Sequence, residues 1–124
     1  MDYRASVLVV DDDEAIREVI ADVLREEGYR VTCAENGEQA LTEIRRDGGP
    51  DLVLLDLMMP VLSGWEVLEE LGADEQLSRI PVLVVSAMAG PATHEHLVKP
   101  IDLDRLLAAV EKATRGLVAD ARNR

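Results

Sequence analysis

Several polar residues stand directly after short apolar runs, at the places where a parallel α/β sheet collects its functional groups. An acidic triplet follows the first run, a single aspartate follows Leu52–Leu55, a serine follows a later run, and a lysine-proline pair follows the last. Because the carboxyl ends of parallel strands meet at one edge, carboxylates, a hydroxyl and an ammonium would converge there. The candidate residues are Asp11, Asp12, Asp13, Asp56, Ser86 and Lys99.

Most of these residues, taken singly, also have a purely structural interpretation. Asp13 is well placed to cap the first helix, and Asp11 and Asp12 could be ordinary turn residues. Ser86 could be a cap, and Lys99 a solvated surface lysine. Their joint placement at the ends of different strands is what favours a common site.

Asp56 is the residue least well explained by structure alone. It directly follows Leu-Val-Leu-Leu, and a carboxylate that ends a buried strand is costly unless it is paired or binds a cation. Two carboxylates about 4 Å apart repel by about 4 kcal/mol at an effective dielectric constant of about 20, so a cluster with Asp11 and Asp12 requires positive charge. Oxygen ligands without a nearby histidine or cysteine favour Mg²⁺. The three aspartates, one Mg²⁺ and Lys99 would together be about neutral.

A phosphoryl group on Asp56 would disturb this balance. It turns one negative charge into about two and adds acceptor oxygens. Lys99 can pair with the added charge, and the Ser86 hydroxyl can move to a phosphoryl oxygen. A cation shields the attacking carboxylate from the phosphoryl oxygens. The constellation therefore predicts a phosphorylation switch.

The elements that position these residues alternate between strands and helices. Apolar, β-branched runs predict strands at 5–10, 29–34, 52–55, 80–85 and 97–98. Helical spacing of apolar residues predicts helices that end at Gly28, cover 38–46, run from 64 to about 71, and start after Asp102. This pattern is typical of a doubly wound parallel sheet with helices on both faces. We expect one domain at 1–116 and a polar C-terminal tail at 117–124.

Composition excludes several classes of partner. The chain has 25 acidic and 13 basic residues, and a net charge of −12 repels nucleic acid and anionic membranes. We also find no apolar stretch long enough for a bilayer and no export signal at the N-terminus. Cys33 is the only cysteine, which excludes an internal disulfide and favours a reducing compartment. We therefore expect a cytoplasmic location, no direct nucleic acid partner and no membrane contact.

The ordered motifs resemble the receiver domain of bacterial two-component response regulators, over about residues 5–114. The resemblance implies a flavodoxin-like sheet of order 2-1-3-4-5, Mg²⁺ as cofactor, and phosphotransfer from a histidine kinase or phosphotransfer protein. The stretches that carry it are Val9-Val10-Asp11-Asp12-Asp13, Asp51-Leu-Val-Leu-Leu-Asp56-Leu-Met-Met-Pro60 with Ser63-Gly64, Pro81-Val-Leu-Val-Val-Ser86-Ala87, and Val98-Lys99-Pro100.

The resemblance also implies a role for individual residues. Lys99-Pro100 is expected to be a cis bond, as is common in the family. The implied roles are Asp11 and Asp12 as the acidic pair, with Asp12 the more direct magnesium ligand, Asp56 as phosphoacceptor and ligand, the Met58 carbonyl as ligand, and Ser86 and Lys99 as switch hydroxyl and lysine.

The chain departs from the family pattern near its fifth strand. His96 stands where the family usually has a switch aromatic, and Ile101 replaces a frequent Phe. Only twelve residues separate Ser86 from Lys99, so we expect the fourth crossover helix to be short or absent. Gly90-Pro91 could begin about one turn, with 93–96 after it. We therefore expect a thinly covered β4/β5 face, which either a second copy or partner covers or the loop itself folds over.

Three function classes follow from these observations. The first is a phosphoryl-accepting signalling domain that is not itself a classical enzyme and switches contacts with a downstream protein. The second is a pseudo-receiver interaction module that works without phosphorylation. The third, a magnesium-dependent phosphohydrolase with an aspartyl nucleophile, is disfavoured because position 58 is Met and not a second aspartate.

Overall fold

The structure, a computed structural model, describes residues 4–46, 49–87 and 94–122. Within these ranges the chain alternates between strands and helices from end to end, as the sequence predicts. The elements are β1 (Ser6–Val10), α1 (Glu14–Glu26), β2 (Arg30–Ala34), α2 (Gly37–Ile44), β3 (Leu52–Leu55), α3 (Gly64–Ala73), a 3₁₀ turn (Leu77–Arg79), β4 (Val82–Ser86), β5 (His96–Val98) and α4 (Leu103–Arg122).

The five strands form one parallel sheet in the order β2-β1-β3-β4-β5. This confirms the predicted flavodoxin-like topology. Strands β1 and β3 lie side by side in the middle, with Val10 opposite Leu55, so the residues that follow them emerge next to each other. The strand order therefore brings together residues that are far apart in the sequence.

Aliphatic side chains fill the core on both faces of the sheet. Helices α1 and α4 cover one face, where Leu24 and Leu106 are fully buried, and α2 and α3 cover the other, where Ile44 and Val67 are buried. The buried strands are apolar throughout because both of their faces are covered. The chain thus forms a three-layer α/β domain around an almost aromatic-free core.

Polar side chains set the helix starts that frame the sheet. Asp13 is the N-cap of α1, as predicted, and its carboxylate accepts from the Ile16 N–H at 3.1 Å. Asp102 accepts from the first-turn N–H groups of α4. Ser63 and Glu66 form a reciprocal capping box at the start of α3. These caps fix where each helix begins beside its preceding strand.

The connection from β4 to β5 is short. Ala87, His94 and Glu95 belong to neither a helix nor a strand, and residues 88–93 lie outside the described residues, as does the predicted turn at Gly90-Pro91. The extension of that turn to His96 is wrong, because His96 pairs with β4 as the first residue of β5.

The expectation of a thinly covered face is wrong for β4. Val84 and Ser86, which lie two residues apart on β4 and so share one face of the sheet, are fully buried. At the sheet edge, Val98 of β5 is 55% exposed.

Two predicted ends also differ from the structure. β4 begins two residues later than predicted, because Ile80 closes the 3₁₀ turn through its N–H to the Leu77 carbonyl. α4 continues to Arg122, beyond the start of the expected polar tail at 117. None of the described helices is long and apolar enough to cross a bilayer.

Candidate functional site

Three carboxylates meet at the carboxyl edge of the two central strands. Asp11 directly follows β1, Asp56 directly follows β3, and Asp12 lies in the turn that leads into α1. One oxygen from each lies within 4.8 Å of the others. Asp11 and Asp56 are buried, whereas Asp12 is exposed. The cluster is therefore open to solvent on the Asp12 side.

Lys99 is the cation that faces this cluster. Its Nζ donates to Asp11 Oδ2 at 2.8 Å and to Asp56 Oδ2 at 3.3 Å, and only 17% of the side chain is exposed. Lys99 directly follows β5, and its peptide bond to Pro100 is cis, as expected. The sequence analysis predicted that Lys99 pairs with added charge on Asp56. In the structure the ammonium already bridges two carboxylates.

The backbone around Asp11 holds the first aspartate in place. Its Oδ1 accepts from the Asp13 N–H at 2.9 Å, and its carbonyl oxygen accepts from Arg17 Nη1 at 2.8 Å. Sequence reasoning did not identify Arg17. The available signal was its place one turn into α1, because helical side chains point back toward the helix N-terminus and thus toward the acidic triplet.

Asp56 is held at both of its carboxylate oxygens. Oδ1 accepts from the Met58 N–H at 3.1 Å, and Oδ2 accepts from Lys99. Burial raises the pKa of Asp56 above its usual range, although the Met58 N–H and the Lys99 charge act in the opposite direction. The nearby Asp11 charge adds to the rise. Positive charge brought to the site would therefore stabilise the ionised form of Asp56.

Lys99 remains a cation in this setting. Burial alone lowers the pKa of its ammonium, but the hydrogen bonds and charges of Asp11 and Asp56 outweigh burial, and the pKa is raised overall. The net charge of the four side chains is −2 when the carboxylates are ionised. The remaining negative charge suits a divalent cation.

The donor set fits Mg²⁺ better than a softer metal. The cluster offers carboxylate oxygens from Asp11, Asp12 and Asp56, and it contains neither histidine nor cysteine. The exposed Asp12 leaves room for water ligands, which Mg²⁺ usually keeps. The Met58 carbonyl, which the resemblance implies as a further ligand, lies in the loop two residues after Asp56.

The loop from β3 to α3 packs tightly beside Asp56. A Cβ on Gly64 would lie 2.2 Å from the Asp56 carbonyl oxygen, so only glycine fits there. Val61 has a φ of 68°, and the Leu62 N–H donates to the Pro60 carbonyl around it. This is a strained γ-turn for a β-branched residue. No sequence signal indicated it.

The remaining candidates lie on β4 and β5. Ser86 is the last residue of β4, and its fully buried Oγ has no hydrogen-bond partner among the described residues. A buried hydroxyl without a partner destabilises the folded protein, so this placement of Ser86 favours a hydrogen bond that forms in another state of the site. His96 is half-buried on β5, in register with Val84.

An apolar cleft of about 350 Å³ adjoins Lys99, between α1 and the segment that follows β5. Ile16 and Val19 line it from α1, and Pro100, Ile101 and Leu103 line it from the other side. Val19 and Leu103 are large apolar residues exposed to solvent. The sequence analysis noted Ile101 only as a departure and did not predict this cleft.

Comparison with known proteins identifies a family. Residues 7–111 match the family model described as response regulator receiver domain. The chain is 40% identical over 119 residues to response regulator RR06 of Streptococcus pneumoniae, covering 89% of this chain and 53% of that protein. It is 32% identical over 115 residues to the polar-differentiation response regulator DivK of Brucella anthropi, covering 86% and 93%.

Solved structures show the same fold. The response regulator TrrA of Thermotoga maritima, in complex with Mg²⁺-BeF, superposes with a TM-score of 0.78 at 34% identity, covering 88% of this chain and 98% of that one. Several curated relatives are longer proteins, and the chain spans about half the length of RR06 and of RegX3 from Mycolicibacterium smegmatis.

Proposed function

The chain belongs to the response regulator receiver domain family, and on that basis we propose that Asp56 accepts a phosphoryl group from a phosphohistidine of a histidine kinase or phosphotransfer protein. The observation that carries this proposal is the position of Asp56. Its carboxylate ends a buried central strand, contacts the Lys99 ammonium, and lies with Asp11 and Asp12 in one oxygen cluster.

In this transfer one bond forms at Asp56 and one bond breaks in the phosphodonor. An Asp56 carboxylate oxygen forms the new O–P bond while the N–P bond of the phosphohistidine breaks, and the released imidazole nitrogen takes up the bonding electron pair and then a proton. Transfer of this kind depends on positioning and charge neutralisation. The Lys99 ammonium and the Met58 N–H are placed to stabilise oxygen atoms that carry charge around Asp56.

We propose that Asp11, Asp12, Asp56 and the Met58 carbonyl hold Mg²⁺. The bound ion would neutralise charge between the carboxylates and the incoming phosphoryl oxygens. Within the acidic pair, Asp12 is the more direct ligand because its side chain is exposed, whereas both oxygens of Asp11 already accept hydrogen bonds.

We propose that Ser86 and Lys99 report the added phosphate. The unpartnered Ser86 hydroxyl would gain an acceptor, and Lys99 would exchange its bond to Asp11 for a phosphoryl oxygen. His96, in register next to β4, is the residue through which β5 would respond. The output is a change in contacts with a downstream protein.

We also propose a surface for the phosphodonor, the bounds of the receiver, a mode of dimerisation and a location. The apolar cleft beside Lys99 is a suitable surface for the phosphodonor, because it lies next to the acceptor site. Residues 1–116 would act as the receiver and 117–124 as a polar extension. A homodimer through the β5 edge, where Val98 is exposed, and a cytoplasmic location complete the proposal.

Titration with MgCl₂ and then beryllofluoride, which mimics a phosphoryl group on a carboxylate, tests the proposal. We expect saturable, Mg²⁺-dependent beryllofluoride binding that is lost in Asp56→Asn. Asp74→Asn is the matched control, since the Asp74 carboxylate accepts from the Gln76 and Leu77 N–H groups away from the cluster and an Asn amide oxygen can accept the same bonds. Absence of binding in the wild type would refute the proposal and favour the phosphorylation-independent interaction module.

A further inference from the structure

Arg17 joins the two ends of the acidic turn. Its guanidinium Nη1 donates to the Asp11 carbonyl oxygen at 2.8 Å, and its backbone N–H donates to the Asp13 carbonyl at 2.9 Å. The side chain is half-buried, and neither of these acceptors is a carboxylate. The bond to Asp13 is the first backbone bond of α1, so the side chain of Arg17 adds the bond to the Asp11 carbonyl, next to Asp12. Among the described residues it makes no hydrogen bond to a carboxylate of the cluster.

Asp12 depends on this backbone for its position. Within the described part of the chain, no hydrogen bond or ion pair involves the Asp12 side chain, which is exposed. The residues on either side are anchored: the Asp11 N–H donates to the Ala34 carbonyl at 3.2 Å, and the Asp13 N–H donates to Asp11 Oδ1. Between these two anchors, Arg17 Nη1 donates to the Asp11 carbonyl and so holds the peptide that joins Asp11 to Asp12.

We propose that Arg17 is a positioning residue for the cation site: by holding the Asp11 carbonyl, it presents the Asp12 carboxylate to the ion. This inference rests on the proposed function, because it assumes that the cluster binds Mg²⁺. Groups that orient metal ligands typically change metal affinity by about ten- to a hundredfold when they are removed.

The charge of Arg17 would act in the opposite direction. A guanidinium near three carboxylates repels an incoming cation, so its removal alone would tighten Mg²⁺ binding. Loss of positioning would weaken binding instead. The sign of the change therefore distinguishes a positioning residue from a nearby charge.

The experiment is calorimetric titration of the whole chain with MgCl₂ at constant ionic strength. Arg17→Met removes the donor and the charge while keeping the length of the side chain, and we expect Mg²⁺ affinity to fall about tenfold. Arg17→Lys keeps the charge and one donor, and its affinity should lie between those of Arg17→Met and the wild type. In the metal-free protein, the backbone amide signals of Asp12 and Asp13 should shift in the ¹H–¹⁵N spectrum of Arg17→Met.

Arg25→Met is the matched control. Arg25 also lies on α1 and also donates to a backbone carbonyl, that of Val31 at 3.2 Å, but it does so away from the cluster. We expect unchanged Mg²⁺ affinity and unshifted Asp12 and Asp13 amides. Thermal unfolding with a chelator measures any general loss of stability in both variants. If Arg17→Met does not fold, Arg17→Gln, which also lacks the charge, replaces it with the same expected sign.

The titrations distinguish failure of the proposed function from failure of the positioning role of Arg17. If the wild type binds no Mg²⁺, the proposed function fails. If the wild type binds Mg²⁺ and Arg17→Met binds it equally or more tightly, only the positioning role of Arg17 is refuted.

Discussion

Replacing Lys99 with Met tests how much the ammonium stabilises the folded protein against repulsion within the acidic cluster. The Lys99 Nζ lies 2.8 Å from Asp11 Oδ2 and 3.3 Å from Asp56 Oδ2. At an effective dielectric constant of about 20, these distances correspond to attractions of about 6 and about 5 kcal/mol. Desolvation of the ammonium offsets much of this, and breaking a buried pair on one side typically costs about 3–5 kcal/mol. Because Lys99 retains some exposure, we expect a loss of about 3 kcal/mol in the metal-free protein.

Mg²⁺ should recover about half of this loss. The Lys99→Met site carries a net charge of −3 instead of −2, so the ion should bind about tenfold more tightly than in the wild type. At saturating Mg²⁺ a tenfold difference in affinity adds about 1.4 kcal/mol of stability to the variant relative to the wild type. Urea denaturation, once with a chelator and once with excess Mg²⁺, measures the difference in free energy of unfolding between the wild type and Lys99→Met in each condition.

The pH dependence gives a second check on Lys99→Met. Asp56 has a raised pKa because it is buried, and Lys99 opposes that rise. Without Lys99 the pKa of Asp56 rises further. Once Asp56 is protonated it carries no charge, so the ammonium of Lys99 stabilises it little. The loss of stability should therefore be full at neutral pH and should shrink as the pH falls through the pKa of Asp56.

The other lysine of the chain is the control. Lys112 lies 3.9 Å from Glu95 on an exposed surface, so Lys112→Met should change stability by less than about 1 kcal/mol. Equal metal-free stability of Lys99→Met and the wild type would refute this reasoning. If the stability difference between Lys99→Met and the wild type does not become smaller in Mg²⁺, the assignment of the cation to this cluster is refuted.

Three further substitutions test other features of the structure. Gly64→Ala would place a Cβ 2.2 Å from the Asp56 carbonyl oxygen, so we expect a loss of about 3 kcal/mol or more in denaturation. Val61→Asn should stabilise the protein by about 1 kcal/mol, because Asn tolerates a positive φ and the Val61 side chain is already 75% exposed; lower stability would contradict the strained turn. Partial burial raises the pKa of the Cys33 thiol while the Arg25 charge lowers it, so Arg25→Gln should raise that pKa further and slow alkylation of Cys33 at mildly alkaline pH; an unchanged rate would contradict the electrostatic effect of Arg25 on the thiol.

Much of the fold could be predicted because strands and helices alternate with clear apolar patterns. Asp56 was identified from its place after four apolar residues, and β3 does lie in the middle of the sheet. The meeting of Asp11 and Asp56 followed from parallel strands that share one carboxyl edge. These inferences depend only on periodicity and on topology rules, both of which a single sequence contains.

The features that could not be predicted depend on backbone geometry and on packing between distant segments. Val61 has a β-branched side chain that normally avoids positive φ, so its residue type gave the wrong signal. Ile80 reads as a strand residue, but the 3₁₀ turn before it captures its N–H. The burial of Val84 could not be inferred from the short crossover, because it depends on which segments pack over that face of the sheet.

The two ion pairs of Lys99 also affect how the edge of the sheet opens. β5 has three residues and one neighbouring strand, so its backbone amides are held by few hydrogen bonds. Lys99 follows it directly and ties the end of this strand to the ends of β1 and β3, which β5 does not touch in the sheet. The free energy of locally unfolding β5 therefore includes these electrostatic contacts. Amide hydrogen exchange at Leu97 and Val98 consequently depends on the charge state of a site two and three strands away.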